Sequence, residues 1–508
     1  MRDFFKKSKP INRANIPKLS TVAGRRSGTR FMDAAKIDPL NAGWGTTNYS
    51  ADAILRYQLS IVRARSRQLV ANDPYFSRFL KLCQENIVGS AGIALSMRVI
   101  DSIMPDGTVK LDSVANRLIQ DAWWKWSKRR NCTLNERDSF LNVQNIVLTS
   151  VVRDGEIFIR KIRTATKQFG FCLQLVESDY VPINLDKKLS NGNNIRMGIE
   201  TDKNDKVIAY HVLEYHPGEN MTMAQQSHQC VRIPAEQMIH IYLRERASQT
   251  RGIPWGAASM SRSKMLDGYE QAELVAARAG ASKMGFITEK EGEEYKGDDI
   301  STDAQGNETI ITDFDAGTFE RLPAGVDVKL FDPQHPSGNF DTFTKRILRG
   351  ISAGFGIGYN TLANDYESVN YSSLRQSNLS ERDCWKRLQQ WLIEALHDEI
   401  FSGWLEMAIT AGAINLPIAK LAKFDEAIWR PRGWQWVDPL KEIQALKIAM
   451  SLGVESATAS VAEKGKDIEE IYQDMKNEAL LRERYGITLQ SPDDIMIIED
   501  EKGDKNND

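Results

Sequence analysis

The sequence predicts an α+β protein in which antiparallel strands are gathered into one stretch and long helices lie on either side of it. Three observations carry this. Apolar residues recur at helical spacing from Asp52 to Val152 and again from Gly256 onward. Between residues 157 and 243 the texture changes to short β-branched and aromatic runs separated by polar turns. At 508 residues the chain is long enough for two to four domains, so strands and helices need not share one core.

The first 50 residues are rich in Gly, Ser, Thr, Asn and basic groups without periodicity and read as an extended arm. A helix follows from Asp52, with Leu55, Leu59, Val62, Leu69 and Val70 on one face and Arg56, Arg63, Arg65 and Arg67 mostly off it. Asn72-Asp73-Pro74 ends this helix and starts the next, with Asp73 as N-cap and Pro74 at the first helical position; Gly89 to Gly92 closes the second helix near Val88. A third helix spans Asp112 to Lys128. Its Trp123, Trp124 and Trp126 are expected to fill a core or a subunit contact rather than to stack on bases. A fourth runs from Val143 to Val152.

Strands are expected at Ile157–Ile162, Phe171–Val176, Ile195–Glu200, Val207–Tyr215 and Met238–Leu243. An alanine-rich helix from Gly256 to Lys283 leads into an acidic, weakly β stretch, 284–336, with strands at Thr309–Thr312 and Val326–Leu330. The helix Phe340–Phe355 precedes a glycine-aromatic loop, and a helix from Ser373 to about Glu399 follows it. Gly354, Gly356 and Gly358 each cost about 1 kcal/mol in a helix, so the first helix should end there. Asp438 and Pro439 then start a helix that Gly453 ends, with short helices beyond.

Composition excludes several classes. No apolar stretch reaches about 18 residues, so no membrane span or membrane partner is expected. The N-terminus lacks the apolar core of a signal peptide, and five scattered cysteines read as reduced cytosolic thiols. Net charge is −2, which argues against strong salt-dependent DNA binding by the whole chain. The basic residues Arg2 to Arg30, opposed only by Asp3, leave open a basic arm for nucleic acid or an acidic partner; the tail from Asp493 is acidic.

Enzyme motifs are few. Gly350-Ile-Ser352-Ala-Gly354 has the G-x-S-x-G spacing of a hydrolase nucleophile elbow, which makes a serine hydrolase or protease the alternative reading. That motif needs a preceding strand, yet Lys345 to Arg349 reads as helix, and the only downstream histidine is His397 on an amphipathic helix. The alternate glycines lack dinucleotide spacing, and no Walker A sequence occurs, so ATP hydrolysis would fall to a partner. His216, His228 and Cys230 match no zinc template. No catalytic residue, metal or cofactor is expected.

Several short stretches, in this order, resemble the lambda-type bacteriophage portal proteins: Arg63-Ala-Arg-Ser-Arg67 with Asn72, Asn86-Ile-Val-Gly89-Ser-Ala-Gly92, Arg153-Asp-Gly-Glu156, Gln174 to Asp179, His211 to Pro217, Arg251-Gly-Ile-Pro254, Asn370-Tyr371-Ser-Ser-Leu-Arg375 and Trp434 to Leu440. The resemblance covers roughly residues 50 to 490. It implies a portal-type fold: a basic arm (1–50), an α+β wing (51–255), a stem helix (256–283), a clip (284–336), a second stem helix (337–355), a tunnel loop (356–372), a long bridging helix returning to the wing (373–425) and a helical crown with acidic tail (426–508).

The resemblance also implies a homo-oligomeric ring of twelve at one capsid vertex of the virion, assembled in the host cytoplasm, through which double-stranded DNA is packaged and ejected. The implied partners are the terminase large subunit, major capsid and scaffolding proteins, and head-completion or adaptor proteins. Gly356, Gly358, Tyr359, Asn360, Asn370 and Tyr371 would line the channel as its loop, and Lys345, Arg346 and Arg349 would face DNA from the stem.

Overall fold

The computed structural model describes residues 43, 45, 47–105, 109–219, 229–281, 285–289, 300–302, 308–310, 326–330, 340–367, 369–434, 439–464 and 468–486. The basic residues 1–30, His228, Asp438 and the acidic tail lie outside them. The chain divides into a segment 1–49 and a body 50–508, and the fold below is that of the body.

The body opens on the helix Ala51–Asn72, capped by Ser50 and burying Leu55, Leu59 and Leu69. Asp73 serves two helices at once. Its backbone N–H closes the first on Leu69 O at 2.7 Å, while its carboxylate accepts the N–H groups of Tyr75 and Phe76, both at 2.9 Å. With Pro74 following, this is the cap and N1 pair that the sequence predicts, and an N-cap carboxylate of this kind contributes about 1 kcal/mol. The second helix, Pro74–Cys83, widens into a π turn at Gln84–Val88 and stops at Gly89, whose φ of 73° is left-handed.

Two antiparallel sheets hold the described strands between residues 156 and 242. The order Met238–Tyr242, Glu156–Arg163, Phe171–Val176 makes one; Cys230–Pro234, Val207–Leu213, Ile199–Thr201, Asn194–Arg196, Lys187–Lys188 makes the other. The expected single strand Ile195–Glu200 is in fact two, reversed at Met197 and Gly198, both with positive φ (48° and 81°). Strand Ala94–Met97 pairs with Ala427–Arg430 across more than 300 residues, a contact that no local pattern announces. The acidic stretch holds two hairpins, Gly285–Glu289 with Val326–Leu330 and Ile300–Thr302 with Glu308–Ile310.

The α-helices Ser113–Trp126 and Phe140–Asp154 pack with the three-stranded sheet and the long helix that starts at Tyr371 into one core. That last helix runs further than its sequence pattern suggests: Tyr371–Leu392 passes through a π turn, Ile393–His397, directly into Asp398–Thr410. Trp123 and Trp126 are core residues as expected, against Trp404 at 4.9 and 6.0 Å between ring centres. Trp124 is not. It is 66% exposed, with Lys128 Nζ 3.8 Å above its ring.

His397 sits fully buried at the π turn, between Phe140 and Trp429, with Nδ1 3.2 Å from Leu392 O. Burial lowers its pKa to about 4, the Leu392 carbonyl opposing only weakly. The unfolded chain therefore binds a proton as pH falls through about 6.5 while the folded chain does not until about 4, so stability is lost across that window, by about 3 kcal/mol. Buried His240, also shifted down, acts in the same direction. We expect His397→Leu to flatten the pH dependence of the unfolding midpoint between pH 6.5 and 4. An unchanged slope in thermal scans would contradict the assignment.

Candidate functional site

The segment from residue 340 to residue 381 is built as helix, shoulder and helix. Phe340–Phe355 buries Leu348, Ile351 and Ser352 and crosses the helix Met260–Ala281 closely. A Cβ on Gly354 would lie 2.1 Å from Ser259 Oγ, so this glycine permits the close approach, whereas one on Gly350 would meet only the movable guanidinium of Arg262. This disposes of the hydrolase elbow. Ser352 lies in mid-helix, 2% exposed, donating to Arg349 O at 3.1 Å, and a nucleophile needs a strained strand-to-helix turn instead.

The loop after Phe355 is more folded than its sequence suggests. Gly356 (φ 72°) ends the helix, Ile357 is buried, and Tyr359–Ala363 forms a helical turn that buries Leu362 to 2% exposure. Glu381, on the following helix, accepts the Gly358 N–H at 2.6 Å and the Thr361 hydroxyl at 2.8 Å. Tyr359 OH donates to Asp365 Oδ2 at 2.7 Å; burial and this bond push its pKa up. Asn360 lies half-buried within the turn.

Asn370 caps the long helix, accepting the Ser373 N–H at 2.8 Å, and Tyr371 is its first residue. Between the shoulder and the long helix, Asn364, Tyr366, Glu367 and Asn370 are exposed. Of the three cations expected to face DNA, Lys345 pairs with Asp341 at 3.0 Å and Asp365 at 3.6 Å. The Arg349 guanidinium lies 5.4 Å from the centre of the Tyr359 ring. Arg346 is exposed and has no partner among the described residues.

Residues 38–389 match the family described as phage portal protein, lambda family. The chain belongs to that family. It is 34% identical over 483 residues to a probable portal protein of Halomonas phage phiHAP-1, covering 94% of this chain and 92% of the relative. It is 23% identical over 510 residues to portal protein B of Escherichia phage lambda, covering 93% and 94%. A chain in the solved virion of a native gene transfer agent particle is also similar, at 12% identity and TM-score 0.46, covering 80% of this chain and 93% of that one.

In this lambda-family portal chain, three of the stretches that carry the resemblance meet at one buried carboxylate, and a fourth joins them through Asp179 on Arg67. Glu156 accepts from Arg63 Nη2, from Arg251 Nε at 2.7 Å, from the Gly252 N–H at 2.8 Å, and bonds His240 Nε2 at 2.9 Å. Arg63 Nε donates to Asp154 O at 2.8 Å, and Arg67 joins Asp154 and Asp179. Burial alone would raise the Glu156 carboxyl, but Arg251, Arg63 and His240 outweigh it and hold it well below the usual carboxylate range. Here the sequence reading needs correction. Arg63 is not off the apolar face of its helix but on it, four residues after Leu59, and is 1% exposed.

His216 meets Glu177 and Asp179, each at 3.7 Å from Nε2. Its Nδ1 accepts the Gly218 N–H at 3.1 Å, so Nε2 carries the proton and faces the carboxylates as a donor, the wrong tautomer for a metal ligand there.

Proposed function

We propose that this chain assembles head to tail into a ring of twelve at one capsid vertex and serves as the conduit for double-stranded DNA during packaging and ejection, with a structural rather than catalytic role. The observation that carries the reading is family membership over most of the chain. In this reading 51–255 is the wing, 256–283 and 337–355 the stem, 284–336 the clip that meets the terminase large subunit and later the head-completion proteins, 356–372 the channel-lining segment, 373–425 the bridge and return, and 426–508 the crown. Major capsid and scaffolding proteins surround the ring, and the terminase hydrolyses the ATP.

Physical features support it. A closed ring needs two different faces per subunit. Ile54, Tyr57 and Ile61 form an exposed apolar stripe on the first helix, and Leu440, Leu452, Tyr472 and Met475 are exposed on the C-terminal helices, faces that a neighbouring copy would cover. A channel must also pass DNA without gripping it, since every phosphate contact is multiplied around the ring; a net charge of −2 suits that. Of Lys345, Arg346 and Arg349, Arg346 alone could touch phosphate without giving up a partner seen among the described residues. Electron microscopy of the purified full chain should show rings with a central pore. Monomers that bind duplex tightly and release it steeply with salt would overturn the reading.

A further inference from the structure

The strongest unassigned arrangement is the clasp between the long helix and the shoulder Tyr359–Ala363. This turn has at its N-cap Gly358, which has no side chain to accept an N–H. Glu381, 23 residues away, does not replace that acceptor but ties down the cap itself: one of its oxygens takes both the Gly358 backbone N–H (2.6 Å) and the Thr361 hydroxyl (2.8 Å). Gly358 is what admits it. Its φ of −68° and ψ of 142° suit any residue, so glycine is not there for backbone freedom; a Cβ would stand 2.4 Å from Glu381 Oε1 and 3.0 Å from Ser377 Oγ. The far end of the shoulder is held separately, by Tyr359 on Asp365 and by Lys345 beside it.

We propose that Glu381 is a positioning residue that fastens the 357–363 shoulder to the long helix and so fixes where the exposed end, Tyr366 and Glu367, projects toward passing DNA. This rests on the reading of 356–372 as the channel-lining segment. A charge-assisted bond to a backbone N–H is among the stronger single contacts a short turn can have. The shoulder buries Ile357 and Leu362, and Glu381 is the long-helix side chain that hydrogen-bonds it.

The test uses assembled full-chain rings of the wild type, Glu381→Ala, Glu381→Gln and Gly358→Ala, with hydrogen exchange of peptides spanning 356–364 and DNA retention in packaged heads as separate readouts. Glu381→Ala should speed exchange of the shoulder amides on the order of tenfold and lower retention, while Glu381→Gln, which still accepts both bonds, restores most of each. Gly358→Ala should reproduce the alanine variant by pushing the carboxylate aside. Wild-type exchange in both Glu381→Ala and Gly358→Ala rings overturns the clasp. Loosened shoulders with full retention leave the clasp standing and overturn its role toward DNA, and with it the channel-lining assignment of this segment.

Discussion

Replacing Glu156 by alanine should cost about 3–5 kcal/mol and leave little soluble, ring-competent chain. The magnitude follows from what stays behind. Arg63 and Arg251 are 1% and 0% exposed, and among the described residues their shared anion is the only carboxylate that either one pairs with. Removing one partner of a buried pair leaves the other charge unsolvated, which is far more costly than never having buried the pair. The damage would spread, because Arg251 also ties Val181 O, Met197 O and Ser178 O, and the Gly252 N–H loses its acceptor.

Glu156→Gln keeps the shape but not the charge and should fall between. As a control, Glu406→Ala, which breaks an exposed pair with Arg163, should change stability by less than about 1 kcal/mol. Unfolding scans decide the matter: a Glu156→Ala midpoint like that of Glu406→Ala would show that the cluster is not what holds these strands and helices together. The pH signature has a defined sign. A carboxyl depressed in the folded state contributes its stability above its unfolded value, about 4.3, and loses it as pH falls toward the folded value, so the Glu156 contribution is complete at neutral pH.

That cluster also shows what was legible in the sequence. Helices with their own capping residues were readable to within a few positions, because Asp73, Pro74 and Gly89 act on their immediate neighbours. Arg63 was visible only as a motif letter, although its spacing from Leu59 already placed it on the buried face; charge type outweighed position in the reading, and a partner 93 residues away was needed to reverse that. The strand pair Ala94–Met97 with Ala427–Arg430 had no local signal at all. In the candidate site, the three alternate glycines mark the helix end, which falls at Phe355 with Gly356 at φ 72°; that Gly354 and Gly358 also answer close approach by Ser259 and Glu381 has no local signal, since a glutamate on a charged helix face gives no sign that it reaches a backbone N–H in another element.

The tryptophans of the third helix offer the sharpest contrast between neighbours. Trp126→Ala should destabilise by about 3–5 kcal/mol, while Trp124→Ala, two residues earlier, should lie within about 0.5 kcal/mol of the wild type. Trp126 is fully buried, meets Trp123 at 4.7 Å and Phe140 at 5.6 Å between ring centres, and donates its indole N–H to Phe171 O at 3.0 Å. Truncation would open a cavity among rigid rings and orphan a strand carbonyl. Trp124 has only the Lys128 ammonium to lose in the single chain, a contact worth little where water competes. The same pair of variants separates chain from ring. If Trp124 sits at a subunit contact, its alanine variant will unfold like the wild type as a monomer yet assemble poorly, whereas Trp126→Ala will fail before assembly begins. Equal losses of monomer stability from both would mean that the exposed face of this helix is packed within the chain itself.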